Sequence, residues 1–132
     1  MSKSIQLKNS NNENIYPYAL LKEFVLYDDT KGSVNNITLS DNVSNYKYID
    51  IFYKNNDNLY SSVKVYSPND KKVCLTCNNP TSDFIYWKNK IVSVKDNTIN
   101  NYSYNQDWAS NNSTIGHQNA NLIAIVRVVG YK

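Results

Sequence analysis

The stretch YKYIDIFYK, residues 46–54, decides the fold of this 132-residue chain. Apolar and polar side chains alternate along it with a period of two, which predicts an extended strand rich in β-forming residues. The two predicted faces carry Ile49, Ile51 and Tyr53 on one side and Tyr48, Asp50 and Phe52 on the other. The next alternating stretch, LYSSVKVYS at residues 59–67, follows the polar turn NNDN. The two stretches therefore predict a β-hairpin.

Similar stretches recur along the chain, separated by polar breakers such as SPND and NNPTSD. They are EFVLYDD (23–29), NITLS (36–40), KVCLTC (72–77), DFIYWK (83–88), IVSVK (91–95), TINNYSY (98–104) and LIAIVRVVGY (122–131). The pair IVSVK and TINNYSY flanks the dipeptide DN, which predicts a second tight hairpin. This spacing predicts an all-β fold, an antiparallel, jelly-roll-like β-sandwich of about eight to nine strands.

The two ends of the chain differ in character. Residues 122–131 are almost continuously apolar, which predicts a strand covered on both faces, either central in a sheet or hidden by another subunit. The polar region ending at Pro17 predicts an N-terminal arm over residues 1–18, used for attachment or oligomer contact, followed by one β-sandwich domain over residues 19–132. The stretch YALLKEF (18–24) is the one plausible helix, too short to organise the fold.

The charge balance argues against a nucleic-acid partner. The formal net charge is +3 with a pI of about 8.7, but the basic residues are scattered lysines and Arg127 is the lone arginine. Nucleic-acid binding usually needs clustered basic side chains. No apolar run approaches the roughly 18 residues of a membrane span, and MSKSIQLKNS lacks the apolar segment of a signal peptide. We therefore expect neither nucleic-acid binding nor membrane insertion.

The inventory of catalytic groups is poor. His117 is the only histidine, Glu13 and Glu23 are the only glutamates, and most of the nine aspartates stand at turn positions. The sequence contains no recognisable hydrolase, metalloprotease or nucleotide-binding motif. We therefore predict no catalytic residues and no enzymatic activity.

Metal sites and cofactors are not predicted either. Cys74 and Cys77 form a CxxC without a second pair, so we interpret them as reduced cysteines in a strand. The adjacent carboxylates of YDDT, residues 27–30, are a calcium candidate, but no spaced acidic loop accompanies them.

Aromatic residues carry the remaining functional signal, because the chain has 12 tyrosines and 2 tryptophans. Two of the tyrosines and one tryptophan lie in NYSYNQDWASNNSTIGHQNAN, residues 101–121, which otherwise has the composition of a loop. Flat rings beside amide and carboxylate side chains are typical of saccharide-binding surfaces. The predicted ligand-binding residues are Tyr102, Tyr104, Asn105, Asp107, Trp108 and His117. The alternative is structural: Tyr102 and Tyr104 belong to a strand, and Trp108 closes the end of the sandwich.

Three segments together resemble a known family. They are IQLKNSNNENIYPY near the start, VLYDDTKGSVNNITLSDNVSNYKYIDIFYKNNDNLYSSVKVYSP in the middle and IVRVVGYK at the end. The pattern is similar to the small all-β domain at the C-terminal tips of tail-fibre and other minor structural proteins in phages and prophages of low-GC Gram-positive bacteria. The resemblance covers residues 25–132, and residues 100–121 do not match its pattern.

The resemblance implies a virion protein, made in the host cytoplasm, that contacts the host surface. The resemblance implies that the chain forms a homotrimer. The other implied partners are virion proteins bound through the N-terminal arm and a bacterial surface glycan. The expected function is a tail-fibre or baseplate receptor-binding module without a cofactor. The alternative is a purely architectural virion subunit, such as a head fibre or decoration protein, with no ligand.

Overall fold

A computed structural model describes residues 7–8, 10–11, 14–15, 21–83, 85–101, 106–109 and 121–132. The only helical segment within these residues is a 3₁₀ turn, Val43–Asn45. The strands, in chain order, are β1 (Leu7–Lys8), β2 (Asn14–Ile15), β3 (Glu23–Ser33), β4 (Ile37–Thr38), β5 (Tyr48–Asn55), β6 (Tyr60–Tyr66), β7 (Lys71–Thr76), β8 (Asn79–Pro80), β9 (Ile85–Lys95), β10 (Thr98–Asn101), β11 (Gln106–Ala109) and β12 (Ile123–Tyr131).

Two antiparallel sheets pack together as a β-sandwich, which confirms the predicted fold class. The four-stranded sheet has the order β3-β12-β5-β6. The six-stranded sheet has the order β11-β9-β10-β4, and β7 and β8 also pair with β9. The chain crosses between the sheets after β3, β4, β6 and β11, while the hairpins β5–β6 and β9–β10 each stay within one sheet. Strand β12 lies between β3 and β5, so the prediction of a centrally placed last strand is confirmed.

The alternation in β5 separates the core from the surface. Ile49, Ile51 and Tyr53 are buried against the second sheet, as predicted from residues 46–54. The Tyr53 hydroxyl donates to the Thr76 carbonyl oxygen at 3.0 Å and accepts from the Thr76 amide at 3.2 Å, which ties β5 to the end of β7. The core residues contributed by the second sheet include Ile37, Val73, Leu75, Val92, Val94 and Ile99. Removal of this apolar surface from water stabilises the sandwich.

Gly130 and Lys132 pack on Tyr46 at one end of the sandwich. A Cβ at Gly130 would lie 2.5 Å from the Tyr46 ring, so only glycine allows this ring to rest on the β12 backbone. The Tyr46 hydroxyl donates to Asp41 Oδ2 at 2.8 Å. Burial and then this bond raise the pKa of Tyr46 to about 12. The Lys132 ammonium lies 5.0 Å from the centre of the Tyr46 ring and 4.8 Å from that of Phe24.

Strand β9 differs from the prediction, because DFIYWK and IVSVK are not two strands. Residues Ile85–Lys95 form one continuous strand that pairs along its length with β7, β8, β10 and β11. Its inward-facing positions include Lys88 and Lys90 as well as Val92 and Val94. Asn89 and Lys90, the polar residues between the two predicted strands, therefore lie within one regular strand. The ammonium groups of Lys88 and Lys90 are hydrogen-bonded inside the sandwich.

Both buried lysines are hydrogen-bonded, as buried charges must be. Lys88 forms an ion pair with Asp57 and donates to Asn56 Oδ1 at 2.7 Å. Lys90 is 1% exposed, and its ammonium donates to the carbonyl oxygens of Val34 at 2.7 Å and Ile123 at 3.2 Å. Burial lowers the pKa of Lys90 to about 8. The lysines thus connect β9 to the turn after β5, to the segment after β3 and to the start of β12.

The remaining predictions on the fold have mixed outcomes. Cys74 and Cys77 are free thiols, the first exposed in β7 and the second buried one residue past its end, as predicted for opposite faces of an extended segment. The candidate helix is not formed over its described part, because Glu23 begins β3. The predicted arm contains β1 and β2, paired with each other, and its attachment role stays a prediction. No helix among the described residues is long and apolar enough to span a membrane.

Candidate functional site

Most of the predicted ligand-binding residues lie outside the described part of the chain. These are Tyr102, Tyr104, Asn105 and His117. The backbones of Asp107 and Trp108 are described, and they belong to β11. In register, Asp107 lies opposite Lys88 and Trp108 lies opposite Trp87 on β9. The ligand-binding role of these residues stays a prediction.

Strand β11 was not predicted, since the whole of residues 101–121 had the composition of a loop. The sequence QDWA has no period-two pattern of its own, so its pairing with the first half of β9 is decided by tertiary contacts. The neighbouring Trp87 is exposed on the outer face of the six-stranded sheet. The sequence pattern therefore did not predict that residues 106–109 extend the six-stranded sheet.

A second aromatic surface covers the outer face of the four-stranded sheet. Its first row, which we call the tyrosine row, crosses all four strands and consists of Glu23, Tyr131, Tyr48 and Tyr66 in register. The rings of Tyr48 and Tyr131 stack with centroids 4.5 Å apart and planes 22° apart. The rings of Tyr48 and Tyr66 are tilted, with centroids 5.5 Å apart. Cross-strand aromatic pairs of this kind stabilise a sheet while leaving ring surface available.

Charged groups surround the tyrosine row. The ammonium of Lys64 lies 4.2 Å from the centre of the Tyr48 ring, a cation–π contact. Burial, and then the negative charges of Asp50 and Glu23, raise the pKa of Tyr131. A hydrogen bond between Tyr131 and Asp50 contributes to the same shift.

An open groove of about 500 Å³ lies on the same face, next to the tyrosine row. Its volume falls within the roughly 300–1,000 Å³ typical of small-ligand sites. The walls combine three rings, two carboxylates, a guanidinium and a hydroxyl with apolar surface. The lining residues are Glu23, Asp28, Thr30, Phe52, Tyr60, Val126, Arg127, Val129 and Tyr131.

Irregular pairing of β12 shapes this groove. Against β5, the register slips between Ile125 and Arg127, so Val126 is an extra residue. Against β3, the partners of Ile125 and Arg127 are Ser33 and Asp28, which leaves several β3 residues bulged between them. Bulges of this kind redirect side chains, and Val126 and Thr30 both line the groove.

Gly32 makes this irregular pairing possible. Its φ of +82° lies in the region that favours glycine, and a Cβ there would lie 2.9 Å from the Ala124 Cβ and 3.1 Å from Val126 Cγ1. The glycine therefore permits both the bulge and its close packing on β12.

The acidic residues near the groove have individual roles. Asp29 accepts from the Lys31 amide at 3.0 Å and from the Tyr27 hydroxyl at 3.3 Å, whereas Asp28 lines the groove. The two carboxylates of the calcium candidate YDDT therefore have different surroundings: Asp29 accepts local hydrogen bonds, and Asp28 faces the groove. Within the described residues, no group of three or more His, Cys, Asp or Glu side chains is arranged to hold a metal ion.

Comparison with protein-family models and with curated proteins finds no match to this chain.

The groove residues were missed as a site because the sequence assigns them only to strands. Period-two alternation puts Tyr48 and Phe52 on the outward face of β5, but it does not show which strands lie beside β5. Once the register is known, Tyr60, Arg127 and Tyr131 join that face. The sequence feature that could have indicated this surface is the number of aromatic residues at outward positions of β5, β6 and β12.

Proposed function

We propose that this chain is a non-enzymatic, saccharide-binding module of a phage virion, acting in a tail fibre or baseplate at the host surface. In this proposal the contact surface is the groove on the outer face of the four-stranded sheet. The single observation that carries saccharide binding is the open groove of about 500 Å³ with rings and hydrogen-bonding side chains on its walls. The virion setting is supported by the resemblance alone.

The lining chemistry supports a saccharide as the ligand class. The rings of Phe52, Tyr60 and Tyr131 offer flat apolar surface for the faces of pyranose rings. Glu23 and Asp28 accept hydrogen bonds from hydroxyl groups, and Arg127 donates them. A few polar groups that fix orientation on a mainly apolar wall are typical of ligand sites.

The architecture supports repeated weak binding rather than catalysis. A rigid β-sandwich presents the groove from strands, so the free protein already holds the binding geometry. Each site gains little affinity from an open, solvent-exposed groove, and several copies in one particle supply avidity. Trimer formation and attachment through residues 1–18 remain part of the proposal, and they are supported by the resemblance alone.

The test is binding of wild-type protein to a glycan array and to saccharide released from host cell walls. Tyr60→Ala removes an exposed ring that lines the groove, and Tyr66→Ala is the matched control, because this ring is equally exposed on the same strand outside the groove. We expect Tyr60→Ala to weaken saccharide binding about tenfold or more and Tyr66→Ala to leave it within about twofold. Equal binding by wild type and Tyr60→Ala would remove the groove from the proposal.

The predicted loop site is tested in the same experiment. If Trp108→Ala weakens binding and Tyr60→Ala does not, residues 101–121 hold the ligand instead of the groove. If both variants weaken binding, the ligand spans both surfaces.

A purely architectural role is the second candidate, and the exposed apolar residues favour it. Val25 and Trp87 are each 47% exposed, on the outer faces of the two different sheets. Rings and aliphatic side chains of this kind are common where subunits meet. Chemical labelling of tyrosines in intact particles distinguishes the two: protection of Tyr60 in the assembled virion would favour the architectural role.

A further inference from the structure

We propose that Lys88, Asn56 and Asp57 form a modification site, at which the Lys88 side chain becomes joined to the Asn56 side chain by a covalent amide bond. This inference goes beyond the proposed function and does not depend on it, since none of the three residues lines the groove. It rests on three observations: contact between the amine and the carboxamide, a carboxylate beside the same amine, and burial of the amine.

The first observation is the contact between the two groups that react. The Lys88 ammonium donates to Asn56 Oδ1 at 2.7 Å. Because a carbonyl bond is about 1.23 Å long, a hydrogen bond of this length places the lysine nitrogen roughly 3.0–3.5 Å from Asn56 Cγ. Atoms at this separation are in the near-attack range, where a reaction within one molecule gains most from proximity.

The second observation is a carboxylate beside the same nitrogen. Asp57 forms an ion pair with Lys88, and its Oδ2 also accepts from Asn79 Nδ2 at 2.9 Å. The hydrogen bond from Lys88 lowers the pKa of Asp57, so this carboxyl group is ionised at neutral pH and can accept a proton. An amine becomes nucleophilic when a neighbouring base removes its proton. Asp57 is therefore positioned to act as that base.

The third observation is that the reacting groups are held in place. The Lys88 side chain is 6% exposed, so water has little access to its nitrogen and does not replace its two side-chain partners. The turn that carries the other two groups is fixed by Asn55, which is buried. Its Oδ1 accepts from the Asp57 amide at 2.8 Å and from the Leu59 amide at 3.0 Å. Amine, carboxamide and carboxylate are therefore kept together by the fold.

Two other lysine contacts lack part of this arrangement. Lys54 lies 3.4 Å from Asn58 Oδ1 at an exposed position, and within the described ranges its ammonium has no carboxylate at ion-pair distance. Lys95 pairs with Asp70 at 3.6 Å, but both side chains are mostly exposed, and the Oδ1 of the neighbouring Asn69 accepts from a backbone amide instead. The chain therefore contains internal controls that we expect to stay unreacted.

The reaction needs no other reactant. Asp57 takes one proton from the Lys88 ammonium, and the amine nitrogen then attacks Asn56 Cγ. A bond forms between Nζ and Cγ, the bond between Cγ and Nδ2 breaks, and Asp57 passes its proton to the leaving nitrogen. The second proton lost by the lysine nitrogen leaves with the ammonia as an ammonium ion. The product is a neutral secondary amide, and Asp57 ends as a carboxylate.

The ion pair between Lys88 and Asp57 is the state of the freshly folded chain, before the bond forms. In this state the proton stays on the lysine, so few molecules react at any time and we expect the bond to form slowly. The two joined residues are 32 positions apart in sequence. The bond would connect the turn after β5 in one sheet to β9 in the other, and it would restrict the unfolded chain as a disulfide does.

The test is mass spectrometry of the denatured wild-type protein, directly after purification and after prolonged incubation of the folded protein at neutral pH, followed by peptide mapping. We expect the mass to fall by one ammonia molecule. We also expect Asn56 and Lys88 to appear in one joined peptide that trypsin does not cleave after Lys88. A wild-type chain that keeps its full mass after incubation, with the two residues in separate peptides, overturns the proposal.

Peptide mapping is required because succinimide formation at an asparagine also releases ammonia. Loss of ammonia without the joined peptide therefore overturns the proposal as well. Wild-type protein incubated unfolded in urea is the matched control, because it has the same groups without their contact. We expect no joined peptide from this sample, and its formation there at the same rate would contradict a role for the fold.

Variants that fold, as checked by circular dichroism, assign the roles of the three residues. Lys88→Met removes the amine and Asn56→Ser removes the carboxamide, so we expect no joined peptide from either. Asp57→Asn keeps both reacting groups and removes the base, which should slow the reaction about a hundredfold or more. Asp70→Asn is the control and should react at the wild-type rate. A wild-type rate in Asp57→Asn would overturn the assignment of Asp57 as the base.

Discussion

The two sheets of this sandwich use alternation differently. In the four-stranded sheet, β5 sends Ile49, Ile51 and Tyr53 into the core and sends rings and charges to the surface. In the six-stranded sheet, β9 has the same regular pattern of exposure, but two of its inward residues are lysines. Side chains alternate between the two faces of the sheet equally regularly in β5 and β9. The period of two therefore shows which residues share a face, but it does not show whether the buried face is apolar.

What differs is the set of partners available to the inward side chains. The four-stranded sheet faces aliphatic residues at its centre, whereas Lys88 and Lys90 meet Asp57, Asn56 and two backbone carbonyl groups. Buried ammonium groups are tolerated where such partners are fixed. The groove and the tyrosine row lie on the outer face of the four-stranded sheet, whose inward residues on β5 are Ile49, Ile51, Tyr53 and one polar residue, Asn55.

The largest effect that we expect tests the packing of the four-stranded sheet. Gly130→Ala introduces a Cβ that would lie 2.5 Å from the Tyr46 ring. We expect the free energy of unfolding to fall by about 3 kcal/mol, measured by urea denaturation, because ring or backbone must shift. The double variant with Tyr46→Leu should be less destabilised than the sum of the two single variants. Simple additivity would show that this contact does not limit the packing.

The second prediction concerns Lys90 in the six-stranded sheet. Because its pKa is lowered to about 8 in the folded state, the folded protein binds fewer protons than the unfolded chain above pH 8. Wild-type stability should therefore rise relative to Lys90→Met between pH 8 and pH 10, by about 2 kcal/mol. Urea denaturation of both proteins across this range measures the difference. A difference that does not change with pH would contradict a buried, charge-disfavouring site for Lys90.

These two residues show how much of the fold was readable from sequence. The hairpin of β5 and β6 follows from the alternation on both sides of NNDN. The contact between Gly130 and the Tyr46 ring could not be predicted, because the sequence does not show where Tyr46 lies in space. Strand β9 was divided in two because the lysines and Asn89 look like a break in a hydrophobic pattern. Their burial depends on carbonyl groups of Val34 and Ile123, which lie far away in sequence.

A smaller effect is expected from the ion pair that links Lys88 on β9 to Asp57 in the turn after β5. Asp57→Asn leaves the buried Lys88 ammonium with weaker partners, so we expect a loss of about 1–2 kcal/mol in unfolding free energy. Asp70→Asn is the matched control, because the Lys95–Asp70 pair is 3.6 Å apart with both side chains largely exposed. It should change stability by less than about 0.5 kcal/mol.

The pH dependence of the Asp57 effect has a defined sign. The hydrogen bond from Lys88 lowers the pKa of Asp57, so the stabilisation is present at neutral pH and is lost as pH falls through that lowered value. The difference between wild type and Asp57→Asn should therefore shrink in acid. Equal losses for Asp57→Asn and Asp70→Asn at neutral pH would contradict a special role for the buried lysine.

The smallest effect on stability is expected at the exposed rings. Tyr60→Ala and Tyr66→Ala should each change the unfolding free energy by about 1 kcal/mol or less, since both rings are mostly exposed and Tyr66 makes one tilted ring contact with Tyr48. Thermal denaturation at low protein concentration measures this. A large loss for either variant would show that the outer face of the four-stranded sheet is part of the protein's stability rather than a contact surface.

The candidate site was only partly readable from sequence. The surplus of aromatic residues pointed to ring-bearing surfaces, and the composition of residues 101–121 placed the predicted site in that segment, where it stays a prediction. Tyr60, Arg127 and Tyr131 lie far apart in the chain and share a groove only because β12 inserts between β3 and β5. The bulges that shape the groove depend on the pairing partners of β12, which the sequence pattern does not specify.

The central claim is that the outer face of the four-stranded sheet is where this protein contacts its ligand. The most direct measurement is a titration of isotope-labelled protein with host cell-wall saccharide, followed by backbone and aromatic chemical shifts. We predict that the largest shift changes occur at Phe52, Tyr60 and Arg127, with little change at Trp87 on the other sheet. Shift changes confined to β11 and residues 101–121, with the groove unaffected, would contradict the claim.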